Sequence, residues 1–76
     1  MASDELSIWT VYDHPRDYPD SWVARRSAIS RTVGVVITAD MFTADTLDEL
    51  RALLPPGLYR LPRYPQDDPK IVEVWL

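Results

Sequence analysis

The stretch that decides the fold is a short helix with its own start and stop signals, Thr46-Leu47-Asp48-Glu49-Leu50-Arg51-Ala52-Leu53-Leu54-Pro55-Pro56-Gly57. Thr46 and Glu49 have the spacing of a capping box, and acidic residues in the first turn favour the positive end of a helix. Four leucines share one face. The two prolines end the helix because proline lacks an N–H and disfavours helical geometry in the residue before it. We predict one helix over residues 47–54 and a turn after it.

The residues before the helix predict three strands. Residues 6–12 alternate between two faces and are rich in β-branched and aromatic side chains. Residues 21–29 alternate in the same way, so the two runs predict a hairpin with a long loop. Residues 32–38 are almost continuously apolar and β-branched, which predicts a central third strand. Gly34 within it is expected to mark a bulge or a close neighbour.

The residues after the helix predict one or two more strands. Residues 58–61 suit a short strand, and residues 71–76 a final one. The apolar end of the chain would be a solubility hazard if it frayed, so we expect it to pair inside the sheet. The order β-β-β-α-(β)-β predicts an α+β fold, an antiparallel sheet of four to five strands with one α-helix packed on one face.

Length and composition limit the number of domains, the chemistry of the side chains and the cellular location that can be expected. A chain of 76 residues leaves little core to divide, so residues 1–76 are expected to form a single compact domain. Without cysteine the chain has no disulfides, thiolate metal ligands or cysteine nucleophiles, which fits a reducing bacterial cytoplasm. An acidic start and the lack of a long apolar run predict neither a signal peptide nor a membrane span.

Charge favours a basic partner over nucleic acid. Twelve acidic and eight basic residues give a net charge of −4, which disfavours attraction to DNA, RNA or anionic lipid. The alternative is that modest negative charge only keeps the protein in solution. Arg25 and Arg26 belong to the one basic cluster but are expected to point to opposite faces and to pair with nearby acids.

The connection between the first two strands is the candidate binding site. Residues 13–20 hold three aspartates and two prolines, which suit an ordered loop that carries binding residues on a fixed sheet. A second loop near the end of the chain carries two further acids. The residues predicted to bind a protein partner are Asp13, Arg16, Asp17, Tyr18, Asp20, Trp22, Asp67 and Asp68.

Two simpler interpretations of these residues stay open. The acids could serve as separate caps and turns rather than one acidic face. The tryptophans could fill the core, an alternative that favours Trp9 and Trp75 and leaves Trp22, beside the loop, as the better interface candidate.

Catalytic signals are sparse, so no catalytic residue, metal or cofactor is predicted. His14 lies beside Asp13, but the serines have no nucleophile-elbow context. His14 with Asp13, Asp17 and Asp20 could offer ligands to a divalent ion, yet the prolines restrict the loop and the spacing matches no established metal loop. With two glycines in the chain there is no phosphate-cradling loop. We expect a protein that is not an enzyme.

Three segments carry a resemblance to a known group of proteins. They are residues 9–26, Leu54-Pro55-Pro56-Gly57-Leu58-Tyr59-Arg60-Leu61-Pro62, and the Val-Glu-Val-Trp-Leu ending. They resemble small proteins of bacterial genomes and prophages, a group that we take to include an anti-CRISPR protein acting on a type I effector complex. The resemblance implies a protein that catalyses nothing and occludes the DNA-binding surface of Cascade. It assigns no role to a particular residue.

The leading hypothesis is a protein-binding inhibitor, in its most concrete form a phage-type anti-CRISPR protein that blocks target DNA binding by a type I Cascade complex. Its loop acids would pair with Arg or Lys of a basic surface, with Tyr18 and Trp22 at the centre. The alternatives are a housekeeping adaptor or regulatory subunit of a bacterial complex and a small metal-dependent enzyme using His14. A monomer or a weak dimer is expected, because an exposed edge strand could support symmetric pairing.

Overall fold

A computed structural model of the chain describes residues 5–30, 32–62 and 68–76. These residues form a small α+β domain with an antiparallel sheet and a single helix, as the sequence predicts. Its elements in chain order are β1 (Glu5–Asp13), β2 (Trp22–Ser30), β3 (Gly34–Ala44), α1 (Leu47–Leu53), β4 (Arg60–Pro62) and β5 (Ile71–Trp75).

The first strand lies at the centre of the sheet, whose order is β3-β2-β1-β5-β4. β1 and β2 form the predicted hairpin, in which Asp13 pairs with Trp22 at the loop end. On its other side β1 pairs with β5, with Trp9 opposite Trp75. The prediction that the last strand pairs inside the sheet is therefore confirmed.

The helix begins and ends as its signals require. Thr46 has extended backbone geometry, and its Oγ1 accepts a hydrogen bond from the Glu49 N–H at 3.1 Å. The helix ends at Leu53, one residue before the predicted limit, and Leu54 is extended and caps this end. Gly57 then turns the chain at a φ of 83°, a left-handed conformation that favours glycine.

The core lies between the helix and one face of the sheet. Leu50 of α1 is fully buried against Trp9 and Val11 of β1 and Ala24 of β2. The Trp9 ring stacks on Phe42 of β3 with 5.1 Å between ring centroids. The core-filling alternative is thus confirmed for Trp9, which is buried. It is also confirmed for Trp75, which is half-buried against the same cluster.

The opposite face of the sheet is more open. Strand register places a set of large apolar residues on that face, and each keeps more than a third of its surface exposed. They are Leu6, Ile29, Val35, Met41 and Leu61. No helix of the described residues is long and apolar enough to cross a membrane.

The prediction of a central third strand is wrong, because β3 lies at an edge of the sheet. A continuous apolar run is typical of a strand buried on both faces, but Val35 is 67% exposed. Gly34 begins β3 at a φ of 89°, and no atom lies within 4 Å of where its Cβ would be. It therefore marks neither a bulge nor a close neighbour. The register shifts further along, between Arg25 and Ser27 of β2.

Candidate functional site

The loop between β1 and β2 is held by its own backbone. The His14 N–H donates to the Ser21 carbonyl at 3.1 Å, which closes the loop at its base. Within the loop, the Tyr18 N–H donates to the Pro15 carbonyl at 2.9 Å, and the Ser21 N–H donates to the Tyr18 carbonyl at 3.2 Å. Pro15 is buried. The loop is ordered because these bonds replace hydration of its polar groups.

The tip of the loop is a continuous exposed surface. All five residues at 16–20 are exposed, and they are Arg16, Asp17, Tyr18, Pro19 and Asp20. Tyr18 keeps 39% of its surface accessible. The tip thus presents two carboxylates, a guanidinium and a phenol ring on a braced backbone, which suits protein recognition. We refer to these five residues as the loop tip.

Two of the three loop acids already have partners within the chain. Asp17 forms an ion pair with Arg25 of β2, whose guanidinium lies 5.6 Å above the centre of the Tyr12 ring. Asp13 is half-buried, and its Oδ1 contacts Nδ1 of His14. Asp20 is exposed and forms no ion pair with another described residue. Of the loop acids, Asp20 is therefore the most available to a partner.

The described end of the second predicted loop, with Lys70 after it, lies beside the first loop. The Asp13 N–H donates to the Lys70 carbonyl at 2.7 Å. A cleft of about 500 Å³ lies between the loops, and its lining residues are Tyr12, Pro15, Arg16, Asp68, Pro69 and Lys70. Asp67 lies outside the described residues.

The cleft between the loops is mixed in charge rather than acidic. The Asp68 side chain caps its own turn, since its Oδ1 accepts the Lys70 N–H at 2.8 Å. This matches the simpler interpretation of the acids as turn formers. Arg16 and Lys70 line the same cleft as Asp68. The structure brings residues 68–70 to the first loop, but the described acids do not form one uninterrupted negative surface.

Trp22 belongs to the core as much as to the loop. It is half-buried and packs against the cluster around Leu50. The His14 ring meets its indole edge-on, with centroids 5.4 Å apart and planes at 63°. Trp22 thereby supports the base of the loop, whereas Tyr18 is the aromatic side chain of the loop tip.

The structure gives no support to a metal site at His14. No group of three or more His, Asp or Glu side chains within the described residues is arranged to hold a metal ion. The His14 ring instead lies between Asp13 and Trp22.

Sequence reasoning missed one residue that shapes this surface, Lys70, and did not identify the partner of another, Arg25. Lys70 brings the second loop to the first through its carbonyl, a backbone contact with no sequence signal. Arg25 forms an ion pair with Asp17. The sequence predicted that Arg25 would pair with a nearby acid, but it did not identify which one. The same expectation holds for Arg26, whose Nη1 lies 2.9 Å from Asp40.

Comparison of the chain with protein-family models, with curated proteins and with solved structures gives no match. Any functional conclusion therefore depends on the residues themselves and on the resemblance of the three sequence segments.

Proposed function

We propose that this protein is a non-enzymatic inhibitor that binds another protein through the loop tip. The observation that carries the proposal is a run of five exposed residues, 16–20, on a loop held by three backbone hydrogen bonds. A loop already fixed in one conformation loses little entropy on binding, so more of its contact energy is available as affinity. That is the arrangement expected of a recognition loop.

Charge favours a basic partner surface. The chain carries a net charge of −4, and Asp20 adds an exposed carboxylate at the tip. Complementary charge accelerates encounter and excludes wrong partners. Tyr18 supplies a rigid aromatic contact of the type that dominates many interfaces. We expect Tyr18 and Asp20 to contribute most, since Asp17 is already paired with Arg25.

In its most concrete form, the partner is the DNA-binding surface of a type I Cascade complex. This part of the proposal rests on the resemblance to small bacterial and prophage proteins. A surface that normally holds DNA phosphates is basic, and an acidic protein seated on it excludes DNA without any chemical step. The inhibitor then acts in the host cytoplasm, without a cofactor and without binding nucleic acid itself.

The test is binding of the protein to purified type I effector complex, followed by target-DNA capture at several salt concentrations. The decisive variant is D20K, because Asp20 is exposed and its replacement breaks no ion pair among the described residues. The matched control is D45K, an equal charge change at another exposed acid, outside the loop. Both should fold as the original protein does, which far-UV circular dichroism checks.

We expect D20K to weaken binding at least tenfold and D45K to change it by less than about threefold. Binding should weaken as salt rises. Equal binding by D20K, D17K/D20K and the original protein would show that the loop tip is not the contact. A protein that binds the complex and leaves DNA capture intact acts on a later step. A protein that binds no effector complex is better described as an adaptor of another bacterial complex.

A further inference from the structure

The outer edge of β3 is a strand surface without a partner in the described sheet. β3 is the first strand in the order β3-β2-β1-β5-β4 and spans 11 residues. Alternate residues of an edge strand direct their N–H and C=O groups away from the sheet, where another strand can pair with them. Residues 34–38 of this edge carry no charge, and Val35 and Val36 are exposed.

The opposite edge of the sheet is protected. β4 has only three residues, Arg60–Pro62. Pro62 has no N–H to donate, and Arg60 is exposed and charged. Short length, charge and proline are the features by which natural sheets discourage edge pairing. The sheet therefore offers one open edge and one closed edge.

The outer edge of β3 is interrupted in its middle. The register shift opposite Arg25 and Ser27 falls between the two halves of β3 and interrupts its ladder with β2. Beyond residue 38, the Asp40 N–H donates to the Thr38 hydroxyl at 3.2 Å, and the Asp40 carboxylate pairs with Arg26. Bulges and charges of this kind turn an edge away from other chains. Residues 34–38 are the longer of the two uncharged runs on either side of this interruption, and we refer to them as the open segment.

We propose that the open segment pairs with the same segment of a second copy of this chain, antiparallel and around a two-fold axis. Antiparallel pairing of one strand with itself is self-complementary, because each residue contacts its counterpart in both directions. Valine opposite valine is a favourable cross-strand pair. A closed β4 edge then stops the assembly at two copies, so the product is one continuous ten-stranded sheet and not a fibre.

A second copy suits this segment better than a charged partner does. An axis at Val36 sets Val36 opposite its own copy and Gly34 opposite Thr38, while the two copies of Asp40 stay apart. The contact itself is uncharged, but each chain carries a net charge of −4. Screening of that repulsion by salt should therefore strengthen the dimer. The basic-partner contact at the loop tip has the opposite salt dependence, so the two proposals succeed or fail separately.

The experiment is sedimentation equilibrium of the full chain from about 1 μM to about 1 mM, at low and at moderate salt. The test variant is V35K, which puts a charge on the open segment. The control is L61K, the same type of change at an exposed residue of the closed edge. Both sites are exposed, so both variants should fold, and circular dichroism verifies this.

We expect the original protein and L61K to dimerise as protein concentration rises, and to dimerise more strongly at higher salt. V35K should stay monomeric up to a concentration at least tenfold higher than that at which the original protein dimerises. Amide hydrogen exchange should slow in residues 34–38 as the dimer forms. A monomer throughout, with fast exchange in that segment, would overturn the proposal and leave the edge to a strand of a different protein. Dimerisation that V35K does not alter would overturn it as well.

Discussion

Arg51 of the helix forms a bidentate ion pair with Glu73 of β5. The Arg51 Nε lies 3.1 Å from Glu73 Oε2, and its Nη2 lies 2.6 Å from Oε1. Glu73 is buried, and the Trp75 indole N–H also donates to Oε2, at 2.5 Å. This carboxylate therefore joins the helix to β5 by charge, in addition to the apolar packing of Trp75 against the core cluster.

Replacing Glu73 with glutamine should lower the free energy of unfolding by about 2 kcal/mol or more. The change removes the negative charge from a buried position and leaves the Arg51 guanidinium with only the exposed Asp48 carboxylate, 3.8 Å away, as a counterion. Arg51 is itself about a third exposed, which keeps the loss below that of a fully buried pair. Urea denaturation measures the effect. The control is E49Q, the same chemical change at an exposed carboxylate, which should alter stability by less than about 0.5 kcal/mol.

Glu73 should also make stability depend on pH. Burial raises the pKa of Glu73, but hydrogen bonds from Arg51 and Trp75 and the positive charges of Arg51 and Arg60 offset it, so the pKa lies below its ordinary value of 4.5. A carboxyl group whose pKa is lower in the folded state contributes stability above its unfolded pKa and loses it as pH falls through the folded pKa. Stability should therefore decline below pH 4.5, and E73Q should show a shallower decline. Parallel acid slopes in the two proteins would contradict this.

The two aromatic residues of the loop region should behave differently. W22A should lower the free energy of unfolding by about 2 to 3 kcal/mol, because Trp22 packs against the core cluster. Y18A should change it by less than about 0.5 kcal/mol, since the ring is exposed at the loop tip. Thermal and urea unfolding measure both. Equal destabilisation by the two variants would mean that the loop tip is part of the folded core.

Removal of residues 74–76 should unfold the domain. Trp75 is lost from the core cluster, and β4 loses its partner strand, in which Arg60 pairs with Trp75. Removal of Leu76 alone is the control. It deletes two backbone hydrogen bonds with Tyr59, of 2.8 and 3.0 Å, but no core side chain, so the domain should stay folded. Near-ultraviolet circular dichroism and amide dispersion in NMR spectra distinguish the outcomes.

G57A should lower the free energy of unfolding by about 1 kcal/mol. The residue has a φ of 83°, which costs energy for any residue with a Cβ, although no neighbouring atom would meet that Cβ. A larger loss of stability would indicate that the backbone conformation of the turn at residue 57 has changed. The matched control is A52G, which should cost a similar amount by an opposite route, loss of helix propensity at an exposed position.

Local signals predicted the elements well because those signals act over a few residues. The capping box at Thr46 and the alternation around Trp9 are local, and both the helix and the first hairpin follow them. The position of β3 could not be predicted in this way. Whether an apolar strand is central or at an edge depends on which strands pair with it, and that depends on residues far along the chain.

In the candidate site, too, local features could be predicted from the sequence and long-range contacts could not. An ordered, exposed loop could be predicted from prolines and aspartates at close spacing. The partners of those aspartates could not, because Asp17 meets Arg25 only after β2 has paired with β1. Glu73 gave a signal that was not used, a carboxylate within an otherwise apolar strand, since such a group is buried only when a cation reaches it.

The strand order has a consequence for how the chain is made. The sheet is completed at its centre, where Trp9 of β1 pairs with Trp75 of β5. While residues 71–75 are still inside the ribosome, β1 can pair on one side only, and its other edge stays open in the cell. Pairing between distant segments is slow, and an unpaired strand is exposed to aggregation in the meantime. The speed at which residues 71–75 are translated, and the chaperones that meet the nascent chain, should therefore influence how much folded protein accumulates.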